Sequence, residues 1–334
     1  MNKLEKVLNG QIVSPPPFWL MRQAGRYMPE YRELRAKAGS FLNLCYNPEW
    51  AAEVTMQPIR AFNMSAAIIF ADILLVPHAL GVDLKFETGE GPKLGEFKID
   101  DLHYDASKVQ PVFDALKLVR SHLPTDKNLI GFAGSPWTVA TYMIEKGSSK
   151  TFEKSKQLAF SNSPYFAAVI DAIVNATIEY LSSQIESGAE VVKLFDSWAG
   201  GLNGADYARW IIEPNARIIS ALRAKHPQTK IIAFPRRSNQ QDLIEFCKIA
   251  KPNAISIDEH TNIKWAIDNL PLPIQGNLSP AVLLCDKQVI RERTNKILEA
   301  SKNHPFIFNL GHGISQHTPV ENVKFLSDLL LNIA

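Results

Sequence analysis

The 334-residue chain is poor in cysteine, in net charge and in long apolar runs, and each shortage removes a class of protein. Its three cysteines, Cys45, Cys247 and Cys285, are odd in number, widely spaced and form no Cys-x-x-Cys pair. That argues against a disulfide framework and a cysteine-rich zinc site, and suits free thiols in a reducing compartment. With 36 basic and 34 acidic residues the net charge is +2, so no long-range field marks a nucleic-acid or membrane-surface binder. Any positive charge used in function must be local. No stretch approaches the about 18 apolar residues of a membrane span, and the amino-terminal MNKLEKVLNGQIVSPPP lacks the apolar core of a signal peptide. The expectation is a cytoplasmic protein with no membrane or nucleic-acid partner, in which the Asn-x-Ser/Thr triplets at Asn63, Asn175 and Asn277 carry no glycan. No Gly/Ser-rich linker, low-complexity segment, charge block or solenoid repeat divides the chain, so residues 1–334 read as one domain.

What is present is a core-forming hydrophobic content of 46% arranged in a rhythm. Short apolar runs recur at 17–20, 66–70, 128–134, 190–195, 230–234, 254–258, 272–276 and 306–310. Between them lie segments of helical period, among them 29–39, 111–123, 165–188, 205–226, 239–250 and 289–304. Pro29 sits in the first turn of its helix and Gly39 is its stop. Eight strands with interposed helices fit an α/β (β/α)8 TIM barrel, while a doubly wound open sheet fits the same pattern.

Chemistry-bearing residues follow each run. Arg22 and Arg26 come after the first, Asp72 after the second, and Ser135, Trp137 and Tyr142 after the third. Asp196 and Ser197 follow the fourth, Arg236 and Arg237 the fifth, Asp258 the sixth, Gly276 and Asn277 the seventh, and Gly311, His312 and Gly313 the eighth. On a barrel these converge on one mouth, where ligands bind. Arg22 and Arg26, four apart beside Gly25, are spaced to grip carboxylates as planar forks. Each position also has a purely structural use. The arginines would pair with Glu30 and Glu33, Asp72 would cap a short helix, and Gly-Ser-Pro-Trp would be a tight turn. Tyr142 would be a core aromatic, Asp196 and Ser197 would cap, and Gly-His-Gly would be a turn bearing a surface histidine.

Taken in order, RQAGRYMPEYR, FADIL, GSPWTVATYMIE, FDSWAGGL, GNLSP and FNLGHGI resemble the signature segments of the uroporphyrinogen decarboxylase family, from about Pro15 to Val323. The first is highly specific; GNLSP and GHGI are weak alone. The resemblance implies a single (β/α)8 barrel with its cleft at the carboxyl ends of the strands, a homodimer with facing clefts, and no cofactor or metal. It also implies a substrate, uroporphyrinogen, with four acetates and four propionates on a flexible tetrapyrrole. Arg22 and Arg26 then match the carboxylate-binding arginines, with Gln23, Ala24 and Gly25 completing their loop. Asp72 matches the central acceptor for the pyrrole N–H groups. Tyr142, Ser197 and His312 match the other polar contacts, and Phe195 offers an apolar flank. The catalytic set implied is Asp72, Arg22, Tyr142 and His312. Arg22 holds the family's proton-donor position, although an arginine is a poor acid and His312, Tyr142 or an ordered water is chemically easier.

The chain departs from the family pattern at two places. FPRRSNQQ puts Arg236 and Arg237 where a Gly-containing, Lys-bearing loop is common; one of them is expected to add a carboxylate contact at the rim, against the reading of a solvated loop. Lys146 stands where glycine is common, which would stiffen the loop after Tyr142. Two other functions suit parts of the pattern. A zinc-dependent corrinoid or thiol methyltransferase of the same superfamily needs a His-x-Cys and a distant Cys, and no His-x-Cys occurs. A non-catalytic tetrapyrrole carrier would have lost active-site residues, and none is missing.

Overall fold

The computed structural model describes residues 1–87 and 91–332. In chain order its strands are β1 (Ala66–Ile68), β2 (Leu84–Glu87), β3 (Gly91–Leu94), β4 (Asn128–Gly134), β5 (Val191–Asp196), β6 (Lys230–Pro235), β7 (Ala254–Ser256), β8 (Ile274–Leu278) and β9 (Phe306–Leu310). Seven of them form one parallel sheet in the order β1-β4-β5-β6-β7-β8-β9, while β2 and β3 form an antiparallel hairpin that the apolar pattern did not signal. The order never reverses. A doubly wound sheet requires a reversal at its switch point, so that alternative falls.

Seven of the eight expected runs are therefore strands, and the first is not. Residues 17–20 make one isolated parallel bridge, Phe18 to Phe308. The reason lies in the donors. Pro15, Pro16 and Pro17 have no N–H to give a ladder, and Phe18 N–H goes to the Ser65 hydroxyl at 3.0 Å. The segment still touches both sheet edges: Phe308 N donates to Pro17 O at 2.9 Å and Ser65 N to Phe18 O at 2.8 Å.

The strands carry apolar residues on both faces, as a parallel sheet covered on both sides requires. Val192, Leu194, Ile231 and Ala233 join the outer core beneath the helices, whereas Val191, Ile232 and Phe234 join an inner one. The helix Lys3–Leu8 contributes Leu4, Val7 and Leu8 to that inner core at the amino ends of the strands. Lys193 interrupts this interior. Its Nζ donates to Ser256 Oγ at 2.7 Å and lies 4.9, 5.0 and 5.2 Å from the ring centroids of Trp19, Phe195 and Phe234.

Helices form largely where the period places them: Pro29–Ala38 with Gly39 at φ 73° as its stop, Gln110–His122, Pro164–Glu186, Gln240–Ala250 and Lys287–Ser301. The helix expected over 205–226 is instead broken into Gly204–Tyr207, a π-turn at Ala208–Ile212 and Glu213–Lys225. Pro214 offers no N–H to the preceding turn, so the ladder slips there. The helix Pro164–Glu186 is long and apolar enough to cross a membrane, with a mean hydropathy of 1.2 in its most apolar window. That corrects the expectation that no segment comes near a span; here its Val169, Ile170, Ile173, Val174 and Leu181 are buried in the outer core.

Lys146 closes the helix Pro136–Glu145 in left-handed backbone, φ 61° and ψ 27°, which explains why glycine suits the position. Its carbonyl accepts from Leu94 N at 3.3 Å and its ammonium pairs with Glu96, tying the loop after Tyr142 to the hairpin. A side chain there strains the backbone by about 1 kcal/mol. Lys146→Gly is expected to raise the melting temperature by roughly 2 °C, the exposed ion pair adding little in return; an unchanged or lower midpoint in a calorimetric scan contradicts this.

Candidate functional site

The loop after residue 20 is fixed before its arginines are placed. Met21 N donates to Asn309 Oδ1 and Ile314 N to Met21 O, both at 2.9 Å, which stitches the loop to the end of β9. Gln23 is buried and its amide serves the framework, with Oε1 accepting from Leu20 N at 3.2 Å and Nε2 donating to Ala66 O at 3.1 Å. Ala24 is buried, and Gly25 O accepts from Met28 N at 3.0 Å. Arg22 itself adopts φ 61°, uncommon for a residue with a side chain.

Arg22 and Arg26 are both exposed, and neither forms an ion pair or side-chain hydrogen bond among the described residues. Pairing with Glu30 and Glu33 does not occur. Arg22 is nonetheless hemmed in: a Cβ built at Gly313 would lie 3.0 Å from its Cβ, 3.1 Å from Nε and 3.2 Å from Cζ. Burial and the like charge of Arg26 lower the Arg22 pKa, while Asp72, Tyr142 and Tyr31 pull it back up.

Asp72 follows β1. Its Oδ1 accepts from Leu74 N at 2.8 Å, an Asx turn rather than a helix cap, since Leu74 holds the N-cap of Leu75–Ala79. The second carboxylate oxygen has no protein partner among the described residues. Desolvation raises the Asp72 pKa to about 6 and outweighs the Leu74 amide and the Arg22 charge.

The motifs after β4 and β5 interlock. Thr138 Oγ1 donates to Asp196 Oδ1 at 2.5 Å and accepts from Trp198 N at 3.1 Å, while Trp137 Nε1 donates to Trp198 O at 3.0 Å. On this clamp the Tyr142 ring stacks on Trp198, centroids 4.0 Å apart at 27°. Burial and the Asp72 charge raise the Tyr142 pKa, against Ser148 and Arg22. Ser197 is half-buried beside the clamp, and the half-buried Phe195 packs edge-on against Phe132 at 5.5 Å. His312 is half-buried after β9. Burial, then the charges of Arg236, Arg22 and Arg237, lower its pKa to about 4, with Asp258 opposing, so it is neutral at pH 7.

The polar residues after the strands are not all aimed at the cleft. Ser135 donates to Asn215 at 2.9 Å, Asp196 is buried among Thr138 and Asn215, and Asn277 donates to Asp258 O at 2.8 Å. Asp258 accepts from Arg237 N at 2.6 Å and His260 N at 2.9 Å. A cavity of about 360 Å³, lined by Arg237, Ser238, Asp258, His260 and Thr261, opens beside it. Sequence reading missed Trp198, which lies inside a quoted motif, and Glu259, which directly follows the sixth run and stands 3.6 Å from Arg236. Among the described residues no three His, Cys, Asp or Glu side chains are grouped to hold a metal.

A curled seven-stranded parallel α/β sheet with the desolvated Asp72 and the unpaired Arg22 and Arg26 at the carboxyl ends of its strands has the layout of an α/β enzyme. The chain belongs to the uroporphyrinogen decarboxylase family: the family model described as Uroporphyrinogen decarboxylase (URO-D) matches residues 1–332. A uroporphyrinogen decarboxylase of Novosphingobium aromaticivorans is 47% identical over 97% of this chain and 96% of its own. One from Cereibacter sphaeroides is 46% identical over 97% of each. Among solved structures, a methyltransferase from Methanosarcina mazei superposes with a TM-score of 0.80 over 99% of this chain and 98% of its own, at 19% identity, and so shares the fold.

Two outcomes follow from this geometry. Gly313→Ala collides with the Arg22 side chain and is expected to raise the Michaelis constant for an anionic substrate about tenfold, as loss of one charge-assisted contact does; an unchanged constant means Arg22 is not held there. His312 takes up its proton near pH 6.5 when unfolded and near 4 when folded, so it costs stability as pH falls from 6.5 to 4. His312→Asn is expected to flatten that part of the stability-pH curve in denaturant titrations, and an unaltered slope contradicts the assignment.

Proposed function

We propose that the chain removes CO2 from the four acetates of uroporphyrinogen III in turn, giving coproporphyrinogen III in porphyrin biosynthesis. The observation that carries this reading is the desolvated Asp72, with one free oxygen, beside unpaired Arg22 in a chain that matches the family from end to end.

Each step adds a proton to a ring carbon of the pyrrole bearing the acetate, forming an iminium-like cation. The C–CO2 bond breaks, its electron pair flows into the ring, and an exocyclic methylene forms. That methylene takes a proton and the ring carbon loses its own, so one proton is consumed and one CO2 released per acetate. The pyrrole is its own electron sink and calls for no cofactor. Ionised Asp72 accepts the inward pyrrole N–H groups and stabilises the cation. Arg22 and Arg26 hold carboxylates, the Gln23–Ala24–Gly25 segment shapes their loop, Tyr142, Ser197 and His312 contact the side chains, and Phe195 flanks the pyrroles. Neither His312, with its lowered pKa, nor Tyr142, with its raised one, is by itself a ready acid at neutral pH. Substrate carboxylates offset the arginines and raise His312, which favours it as the donor over Arg22.

The same reading places residues 17–20 as the eighth stave of a closed barrel and the whole chain as one domain acting as a cytoplasmic homodimer, with no nucleic-acid or membrane partner. The methyltransferase alternative needs thiolates, whereas burial pushes the Cys45 thiol up and that of Cys247 to about 12.

Anaerobic incubation with uroporphyrinogen III, with and without chelator, should yield seven-, six-, five- and four-carboxylate porphyrins on oxidation and chromatography; a persistent eight-carboxylate substrate overturns the proposal. Asp72→Asn is expected to lower kcat by about 100- to 1000-fold. Because Asp72 is protonated below about pH 6, kcat/KM should fall as pH drops through that value. Residual activity of Asp72→Asn that keeps the same acid limb assigns the limb to another group.

A further inference from the structure

Arg236 is set by the backbone before its side chain acts. Its N donates to Asp196 O and its O accepts from Gly200 N, both at 3.0 Å, so it continues β6 toward the Trp198 clamp. The side chain is 13% exposed and that of Glu259 is 20% exposed. Arg236 Nη2 stands 3.6 Å from Glu259 Oε1, an ion pair too long for a hydrogen bond. Arg236 Nε and Glu259 Oε2 are both buried without a partner. A well-formed Arg–carboxylate fork satisfies two donors; this one leaves an enclosed guanidinium with a donor to give. Glu259 in turn lies against the Gly-His-Gly turn, since a Cβ at Gly311 would come within 2.3 Å of Glu259 N and 2.7 Å of Oε2. That contact places Glu259 and its partner against the turn that carries His312.

We infer that Arg236 is a third carboxylate-anchoring arginine of the pocket, positioned by Glu259, and that it binds a peripheral carboxylate of the substrate on the β6–β7 side. The identity of that substrate rests on the decarboxylase reading above. Arg236 is foremost among the charges acting on His312, ahead of Arg22 and Arg237. Arg237 is the lesser candidate: it is exposed, and its charge is solvated at the rim. A substrate carboxylate supplies the acceptor that Glu259 leaves unmet, and the weak lock with Glu259 holds the guanidinium in place until then.

The test compares the parent with Arg236→Gln, Arg236→Lys, Glu259→Gln and the Arg236→Gln/Glu259→Gln double variant. Two readouts are used: the dissociation constant of uroporphyrin III, the unreactive oxidised macrocycle, by its fluorescence, and anaerobic turnover of uroporphyrinogen III. Arg236→Gln is expected to raise both the dissociation and Michaelis constants about tenfold with kcat within about threefold, and Arg236→Lys to recover part of the loss. Glu259→Gln should weaken binding less and add nothing to Arg236→Gln, as a residue that acts through another must. Unchanged constants in Arg236→Gln, or a loss confined to kcat and melting temperature, overturn the inference and leave Arg236 a structural latch. A parent that binds uroporphyrin III but releases no CO2 sinks the decarboxylase reading, while the contrast in dissociation constants still decides the role of Arg236.

Discussion

Holding several arginines close together without carboxylate partners is the demand on which the rest of this structure depends. Like charges a few ångströms apart repel, and a chain with a net charge of only +2 has no general positive field to spend on an anion. The fold meets the demand by fixing backbone rather than by pairing charge. Arg22 sits in left-handed backbone between Met21, bound to Asn309, and Gln23, bound to Ala66. Its side chain lies over Gly313, where any larger residue would displace it. The segment crosses the strand edges without becoming a strand, and that leaves its next residues free to turn into the cleft.

The opposite requirement governs Asp72, which must be an anion in a place that disfavours anions. Its shift to about 6 reports that tension. One amide and one nearby guanidinium hold the carboxylate short of full neutralisation, and the second oxygen is left for donors that the protein does not supply. Pyrrole N–H groups are such donors. The Tyr142–Trp198 stack is held in another way: Trp137, Thr138 and Asp196 bind the two motifs to each other.

Most of the architecture was legible because strand and helix periods survive in the residues: seven runs are strands, and Gly39 stops the helix it was expected to stop. Failures have local causes. Three consecutive prolines and the Ser65 hydroxyl remove the donors that would have made residues 17–20 a strand, and Pro214 inserts the π-turn. The hairpin β2–β3 is too short to register as a pattern. At the site, sequence order says that a residue follows a strand but not which way it turns. Asp196 ends β5, Ser135 follows β4 and Asn277 lies near the end of β8, yet all three serve the packing between elements rather than the cleft. Gln23 looked like part of a ligand loop and its amide is a brace for that loop. Glu259 directly follows the sixth run, yet that position does not reveal its pairing with Arg236, because the sequence does not write the distance between them.

Charge that is local and geometrically fixed also settles how such a pocket lets go. Beyond about 8–10 Å, salt screens exposed charges, so attraction here is a matter of contact rather than of capture at a distance. Each decarboxylation turns an acetate into a methyl group and removes one anion. The macrocycle therefore begins with eight carboxylates and ends with four, so its demand for cations halves over the reaction. Burial and the charges of Arg236, Arg22 and Arg237 keep His312 neutral, and any carboxylate brought against those guanidiniums would make it more basic. On the proposed reading, guanidiniums that lack carboxylate partners serve a substrate with eight carboxylates better than a product with four.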